Sequence, residues 1–192
     1  NRKLTVTLYD SKGKRVGDKA QVDVEEIEPG QEKIFSLTLA VKNPLKWTAE
    51  TPNLYTTVLT LSGGKDEEII STRTGFREIE IKGRLFTVNG VPIKIKGANR
   101  HEHWFDSGHY VTEEKMIRDL EVLKQGNCNH VRTSHYSDDP RWYELCDQWG
   151  IYLVAEANVE CHGYIGVLDR EPKYEKAIVD RNIANTENFK NH

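Results

Sequence analysis

Asn99-Arg100-His101-Glu102-His103 stands at the end of an apolar run, and the pattern returns at Arg132-Thr133-Ser134-His135-Tyr136 and at Glu156-Ala157-Asn158-Val159-Glu160-Cys161-His162-Gly163. Each cluster of ionisable groups follows a β-branched, strand-like stretch, and neighbouring clusters are roughly one βα unit apart. Strands that carry polar residues at their C-terminal ends are how a (β/α)8 barrel assembles a site.

Two helical patterns separate the clusters. In the first, Thr112 is placed to cap, Glu113 and Glu114 occupy the first turn where the helix dipole favours acids, and Gly126 follows the end. Met116, Ile117, Leu120 and Leu123 then form one apolar stripe. In the second, Asp139 is the cap, Pro140 the first helical residue and Gly150 the stop, with Trp142, Leu145, Cys146 and Trp149 at helical spacing. That stripe makes Cys146 a core thiol. The order strand, helix, strand (130–133), helix, strand (151–155) predicts parallel crossovers, as in a doubly wound sheet or a barrel. A third helix is predicted over 173–190, with Tyr174, Ala177, Ile178, Ile183 and Phe189 as loosely spaced apolar positions.

Upstream the grammar differs. Residues 4–9, 33–42, 54–62 and 67–74 read as short strands separated by turn clusters such as Asp10-Ser11-Lys12-Gly13 and Ser62-Gly63-Gly64-Lys65, which predicts a small antiparallel sandwich. Phe35, Leu37, Leu39 and Val41 recur at every second position and so share one buried face. Trp47 and Tyr55 read as core aromatics. Across Asn89-Gly90, two strand runs spanning 84–95 form a hairpin. Lys94 and Lys96 alternate with Ile93 and Ile95, so an interior strand begins only near Gly97.

The chain has 192 residues, 37% hydrophobic and 30% charged, with a net charge of −3. It carries no basic excess that would suit nucleic acid and no apolar run long enough to span a membrane. Cys128, Cys146 and Cys161 form no C-x-x-C pair, so reduced thiols are expected. The sequence opens at Asn1 without a Met or a leader, so its natural start is expected elsewhere and a removed signal peptide stays open. Three strands do not close a barrel of eight, so a segment of a longer enzyme is expected.

Several side chains could carry chemistry. Glu156, Asn158, Glu160 and His162 share parity, so an extended chain past Ala155 would project all four from one face, with Tyr152 and Val154 below them. Glu160 and His162 offer an oxygen and a nitrogen donor two residues apart, suited to Mg²⁺ or Mn²⁺ more than to zinc, although the spacing is common. His101 and His103, with Glu102 between them, suit a metal, acid–base work, or one backbone-bonded and one exposed imidazole. Arg132 would hold a site carboxylate ionised, or form a structural ion pair. Ser134 and His135 are adjacent, which does not set Oγ against Nε2, and no nucleophile-elbow glycines surround them.

Together, Gly75-Phe76-Arg77-Glu78, Val88-Asn89-Gly90 with Pro92, Gly97 to His103, Arg132 to Tyr136, Leu145-Cys146-Asp147 and Glu156 to Gly163 closely resemble the bacterial β-galactosidases of glycoside hydrolase family 2, in family order over nearly the whole chain. The resemblance implies an immunoglobulin-like β-sandwich over 1–77, incomplete at its N-terminus, and the first three strands of a catalytic TIM barrel over 78–192. It implies a retaining enzyme, homo-oligomeric, acting on β-galactosides; the compartment is left open by the sequence, the cytoplasm being favoured over the periplasm. His101 and His135 match histidines that hold the galactosyl hydroxyls, Arg132 an arginine near the nucleophile, and Glu160 and His162 ligands of the active-site Mg²⁺. Asn99 and Arg132 would bind substrate, while Arg100, Glu102 and Glu156 would line or support the pocket. The acid/base and nucleophile glutamates of the family fall beyond His192, so residues 1–192 alone are expected to be inactive. The related β-glucuronidases share something like the 132–136 segment. Glucuronidase-like specificity is therefore one alternative, and a non-catalytic carbohydrate-binding or interaction module is a separate one. Trp104-Phe105-Asp106 replaces a stretch richer in His and Pro in the family, and Cys161 stands where Thr is common.

Overall fold

The computed structural model describes residues 2–192. The chain divides into two compact units, one ending at Val91 and one beginning at Pro92.

In the first unit, β1 (Arg2–Tyr9), β2 (Arg15–Val24), β3 (Tyr55–Ser62) and β4 (Glu68–Thr74) form an antiparallel sheet in the order β2-β1-β3-β4. Strand β2 was not expected from sequence. Its half-buried Val16, Ala20, Val22 and Val24 are diluted by charged residues, and the register shifts between Val6 and Leu8 opposite Gly17, which has φ +68°.

The expected strand at 33–42 is corrected: the segment joins no ladder. Its alternation survives as burial, since Phe35, Leu37, Leu39 and Val41 are half-buried while Ile34 is 94% exposed. It passes so close to β2 that a Cβ on Gly17 would stand 2.9 Å from the Ala40 carbonyl oxygen. Trp47 and Tyr55 are core residues, with the Tyr55 ring edge-on to Phe76 at 5.1 Å.

β5 (Ile79–Lys82) and β6 (Leu85–Val88) pair antiparallel, and Asn89 and Gly90, both at positive φ, lead into the two-residue β7 (Val91–Pro92). The turn at Asn89-Gly90 is therefore present, but β6 takes β5 as its main partner because the chain after Pro92 leaves the ladder. The next strand starts at Gly97, where it was expected, but it is not interior: it lies at a sheet edge and Gly97, Ala98 and Asn99 are exposed.

The second unit is a parallel sheet in the order β10-β9-β8, made of β8 (Gly97–Arg100), β9 (His130–Thr133) and β10 (Tyr152–Val154). Helices α1 (Glu113–Gln125) and α2 (Pro140–Trp149) are the crossovers, and α3 (Glu175–Phe189) follows β10. Met116 and Leu120 of α1 and Trp142, Tyr143, Leu145 and Cys146 of α2 bury with Val131 and Ile151 in one core. Burial pushes the Cys146 thiol well above its ordinary range, which fits an unreactive core position. The three cysteines are free thiols.

Asp139 caps α2 by accepting from the Arg141 N–H at 2.8 Å, and Gly150 ends it in the left-handed region at φ 67°. Thr112 has the extended backbone of a cap, but its hydroxyl bonds no helix N–H. Among the described residues no helix is long and apolar enough to cross a membrane.

Candidate functional site

The register of the parallel sheet gathers the polar clusters. Asn99 pairs with Arg132, and Arg132 with Val154, so the three strands end level with one another. The close approach of β8 to β9 requires glycine at position 97, where a Cβ would lie 2.2 Å from the His130 carbonyl oxygen. Glu156, two residues past Val154, returns to the side on which Arg132 projects.

Around Arg132 these ends close into one network. Arg132 Nε donates to Glu156 Oε1, and Arg132 Nη1 donates to Asn99 Oδ1 at 3.3 Å. His135 Nδ1 lies 3.0 Å from Glu156 Oε2 and 3.0 Å from Arg132 Nη2. With Nδ1 protonated, His135 donates to the carboxylate and leaves Nε2 for another partner. The His101 ring stands edge-on to His135, with centroids 5.4 Å apart and planes at 83°, and 6.2 Å from Tyr136. Burial pulls the Glu156 pKa upward, but the hydrogen bonds and charges of Arg132 and His135 outweigh it and hold the carboxyl below its ordinary value. Glu156 is therefore ionised and both its oxygens are engaged. The network gathers hydrogen-bond donors and acceptors at the ends of the three strands.

Sequence reasoning separates cleanly from the structure past β10. The strand ends at Val154, Asn158 adopts φ 55° and residues 162–164 form a 3₁₀ turn. Glu156, Asn158, Glu160 and His162 consequently do not share one extended face. Val154, expected in the interior, is 47% exposed. Glu156 joins Arg132, whereas the Asn158 carbonyl accepts from Arg181 at 2.7 Å. Glu160 and His162 remain together, with His162 Nδ1 2.7 Å from Glu160 Oε1 and the His162 side chain 90% exposed. Two donors in adjacent corners of an octahedral Mg²⁺ shell stand about 3 Å apart. The pair fits such an ion as part of its shell. No group of three or more His, Cys, Asp or Glu that could hold a metal exists among the described residues.

The His101-Glu102-His103 cluster is also sorted by the structure. Both carboxylate oxygens of Glu102 accept from the Asp139 N–H, at 3.1 and 3.0 Å, at the start of α2. His109, which sequence reasoning passed over, has Nδ1 2.7 Å from the Glu102 carbonyl and its ring 5.6 Å from both His103 and Tyr136. Only a loop fold, invisible in spacing, brings it there. Ser134 is buried and its Oγ makes no hydrogen bond among the described residues, which removes it as a nucleophile paired with His135.

Comparison with known proteins gives two family matches. "Glycosyl hydrolases family 2, TIM barrel domain" covers residues 79–192, and "Glycosyl hydrolases family 2" covers residues 1–77. The chain belongs to glycosyl hydrolases family 2. The order of an immunoglobulin-like sandwich domain followed by the start of the TIM barrel domain is that of the family. The β-galactosidase of Photobacterium profundum is 46% identical over 159 residues, covering 81% of this chain and 15% of the relative. The β-galactosidase of Vibrio cholerae is 40% identical over 201 residues, covering 100% of this chain and 20% of the relative. A β-glucuronidase from Ruminococcus gnavus superposes with a TM-score of 0.80 at 25% identity, covering 100% of this chain and 31% of that one. The chain thus spans a fifth or less of the length of these curated relatives.

Proposed function

We propose that this chain is the part of a retaining β-galactosidase that holds the sugar, while the acid/base and nucleophile lie outside residues 1–192. The observation that carries the reading is the network of Asn99, Arg132, His135 and Glu156 with His101 edge-on to it, in a chain 40–46% identical to proteins named β-galactosidase. Asn99, His101, Arg132 and His135 bind the galactosyl hydroxyls, and the ion pair with Arg132 keeps Glu156 an acceptor. A retaining glycosidase needs two carboxyls about 5 Å apart, one of them able to carry a proton. Glu156 does not suit that second role, because Arg132 and His135 hold it ionised. Glu160 and His162 would hold Mg²⁺ as part of its shell, and the bound ion would supply positive charge and a coordination frame.

A β-glucuronide is the other candidate, favoured by the likeness to the R. gnavus β-glucuronidase. Recognition of its carboxylate calls for a cation with uncompensated charge, and the charge of Arg132 is offset by Glu156, while its remaining N–H groups can still donate to neutral hydroxyls. The deciding experiment compares full-length protein on p-nitrophenyl β-galactoside and p-nitrophenyl β-glucuronide. The galactoside is expected to turn over at least tenfold faster, and preference for the glucuronide would overturn the reading. For the metal, Glu160→Gln is expected to raise the Mg²⁺ concentration the full-length protein needs by at least about tenfold, because a neutral amide replaces a charged oxygen ligand. Unchanged Mg²⁺ titration would refute the ligand assignment.

A further inference from the structure

Arg100 directly precedes His101, yet its side chain turns inward and is only 7% exposed. Its guanidinium spans separate elements: Nε donates to Asp119 of α1 at 2.9 Å, Nη1 donates to Asp138 at 2.6 Å, and Glu102 Oε1 lies 3.7 Å from Nη1. The same group stacks on Trp142 of α2, with Cζ 3.9 Å from the ring centroid. Through its backbone, the Arg100 carbonyl accepts from the Ser134 N–H at 2.8 Å. Asp138 lies in the loop joining β9 to α2, three residues after His135, and its side chain is fully buried. Its N–H donates to the Tyr143 hydroxyl at 3.3 Å.

This assembly sits behind the candidate site. A planar fork with several donors reaches carboxylates on two different elements, which a lysine point charge does not do. The arrangement is costly in charge. Asp119, Asp138 and Glu102 surround one guanidinium, and Asp138 Oδ1 meets no donor among the described residues. Burial accordingly pushes Asp138 up to about 7 against the pull of Arg100. Buried ionic networks of this kind are weak sources of stability and are better explained by the geometry they fix.

We infer that Arg100 and Asp138 are positioning residues, which lock the end of β8 to the β9–α2 loop and thereby fix His101 against His135. The two imidazoles belong one to each side of that joint, and their edge-to-face distance of 5.4 Å is set by it. The inference rests on the sugar-holding role proposed above for the two histidines.

The test uses full-length protein carrying Asp138→Ala, Asp138→Asn or Arg100→Lys. Loss of the joint in Asp138→Ala is expected to raise KM for p-nitrophenyl β-galactoside about tenfold, with a smaller change in kcat. It should also speed the reaction of His135 with diethyl pyrocarbonate severalfold, read by peptide mass spectrometry. Asp138→Asn should restore both, because its amide oxygen still accepts from Arg100. Arg100→Lys keeps the charge but not the fork, so it should behave like Asp138→Ala and stands in for it if the alanine variant does not fold. A folded Asp138→Ala or Arg100→Lys protein with parental KM and parental His135 reactivity overturns the inference, as does an asparagine variant as impaired as the alanine one. If the parent does not hydrolyse the galactoside, the proposed function fails, and the His135 modification rates still decide the positioning role.

Discussion

Glu156 illustrates how a neighbour fixes what a side chain can do. Taken alone it is a half-buried carboxyl at a strand end, and burial by itself would favour the protonated acid. Arg132 and His135 reverse that preference and make it an ionised acceptor. Glu156→Gln keeps the shape but loses one acceptor oxygen and the charge. A hydrogen bond to a charged group contributes about 1.5–3 kcal/mol, so kcat/KM of the full-length protein for a galactoside should fall about ten- to hundredfold. The pH dependence has a definite sign. Because the folded pKa lies below the ordinary 4.5, the unfolded chain binds the proton more readily in that window. The stabilisation is present above the ordinary value and is lost as pH falls through the folded one. Denaturation midpoints of parent and variant should therefore differ at pH 7 and converge in acid. A gap that persists unchanged at low pH would contradict the ion pair.

At the level of elements, legibility followed from how local the determinants are. Helix α2 carries its own start and stop in Asp139, Pro140 and Gly150, and the structure places it where those residues do. Replacing Asp139 with Ala removes the bond to the Arg141 N–H and should lower stability by about 1 kcal/mol, seen as a lower denaturation midpoint. Strand β8 depends on a contact that no periodicity reveals. Its glycine lies against the His130 backbone, which cannot yield as a side chain could. Gly97→Ala should part β8 from β9 and move Asn99 and His101 away from Arg132, so full-length protein should lose most galactoside turnover while keeping its helical circular dichroism. Turnover near the parental level would show that β8 absorbs the methyl group. Other features were hidden for the same reason. The alternation at residues 33–42 reports burial, but a ladder also needs a partner, and Gly17 with its bulge determines how the chain meets β2. Asp138 and Asp119 enter only because Arg100 folds inward, and neither sits in a pattern that announces it.

For the whole molecule, the parallel sheet decides what residues 1–192 can do. Parallel strands are normally covered on both faces, and eight of them close a barrel. Here β8 and β10 are the edges of a three-stranded sheet, Val154 is 47% exposed, and no residue of α3 is buried. The polar ends of the strands nevertheless form a connected network, because Arg132, His135 and Glu156 need only β9, its loop and the residues after β10. Residues 1–192 produced alone should bind a hydrophobic dye more strongly, mass for mass, than the full-length protein, since apolar surface stays uncovered. They should show no turnover of a chromogenic β-galactoside, with or without added Mg²⁺, because Glu156 is held ionised and supplies no proton. Turnover by purified residues 1–192 that survives removal of contaminating host enzyme would place a working carboxyl pair within this chain and would return Glu156 to candidacy as a catalytic group.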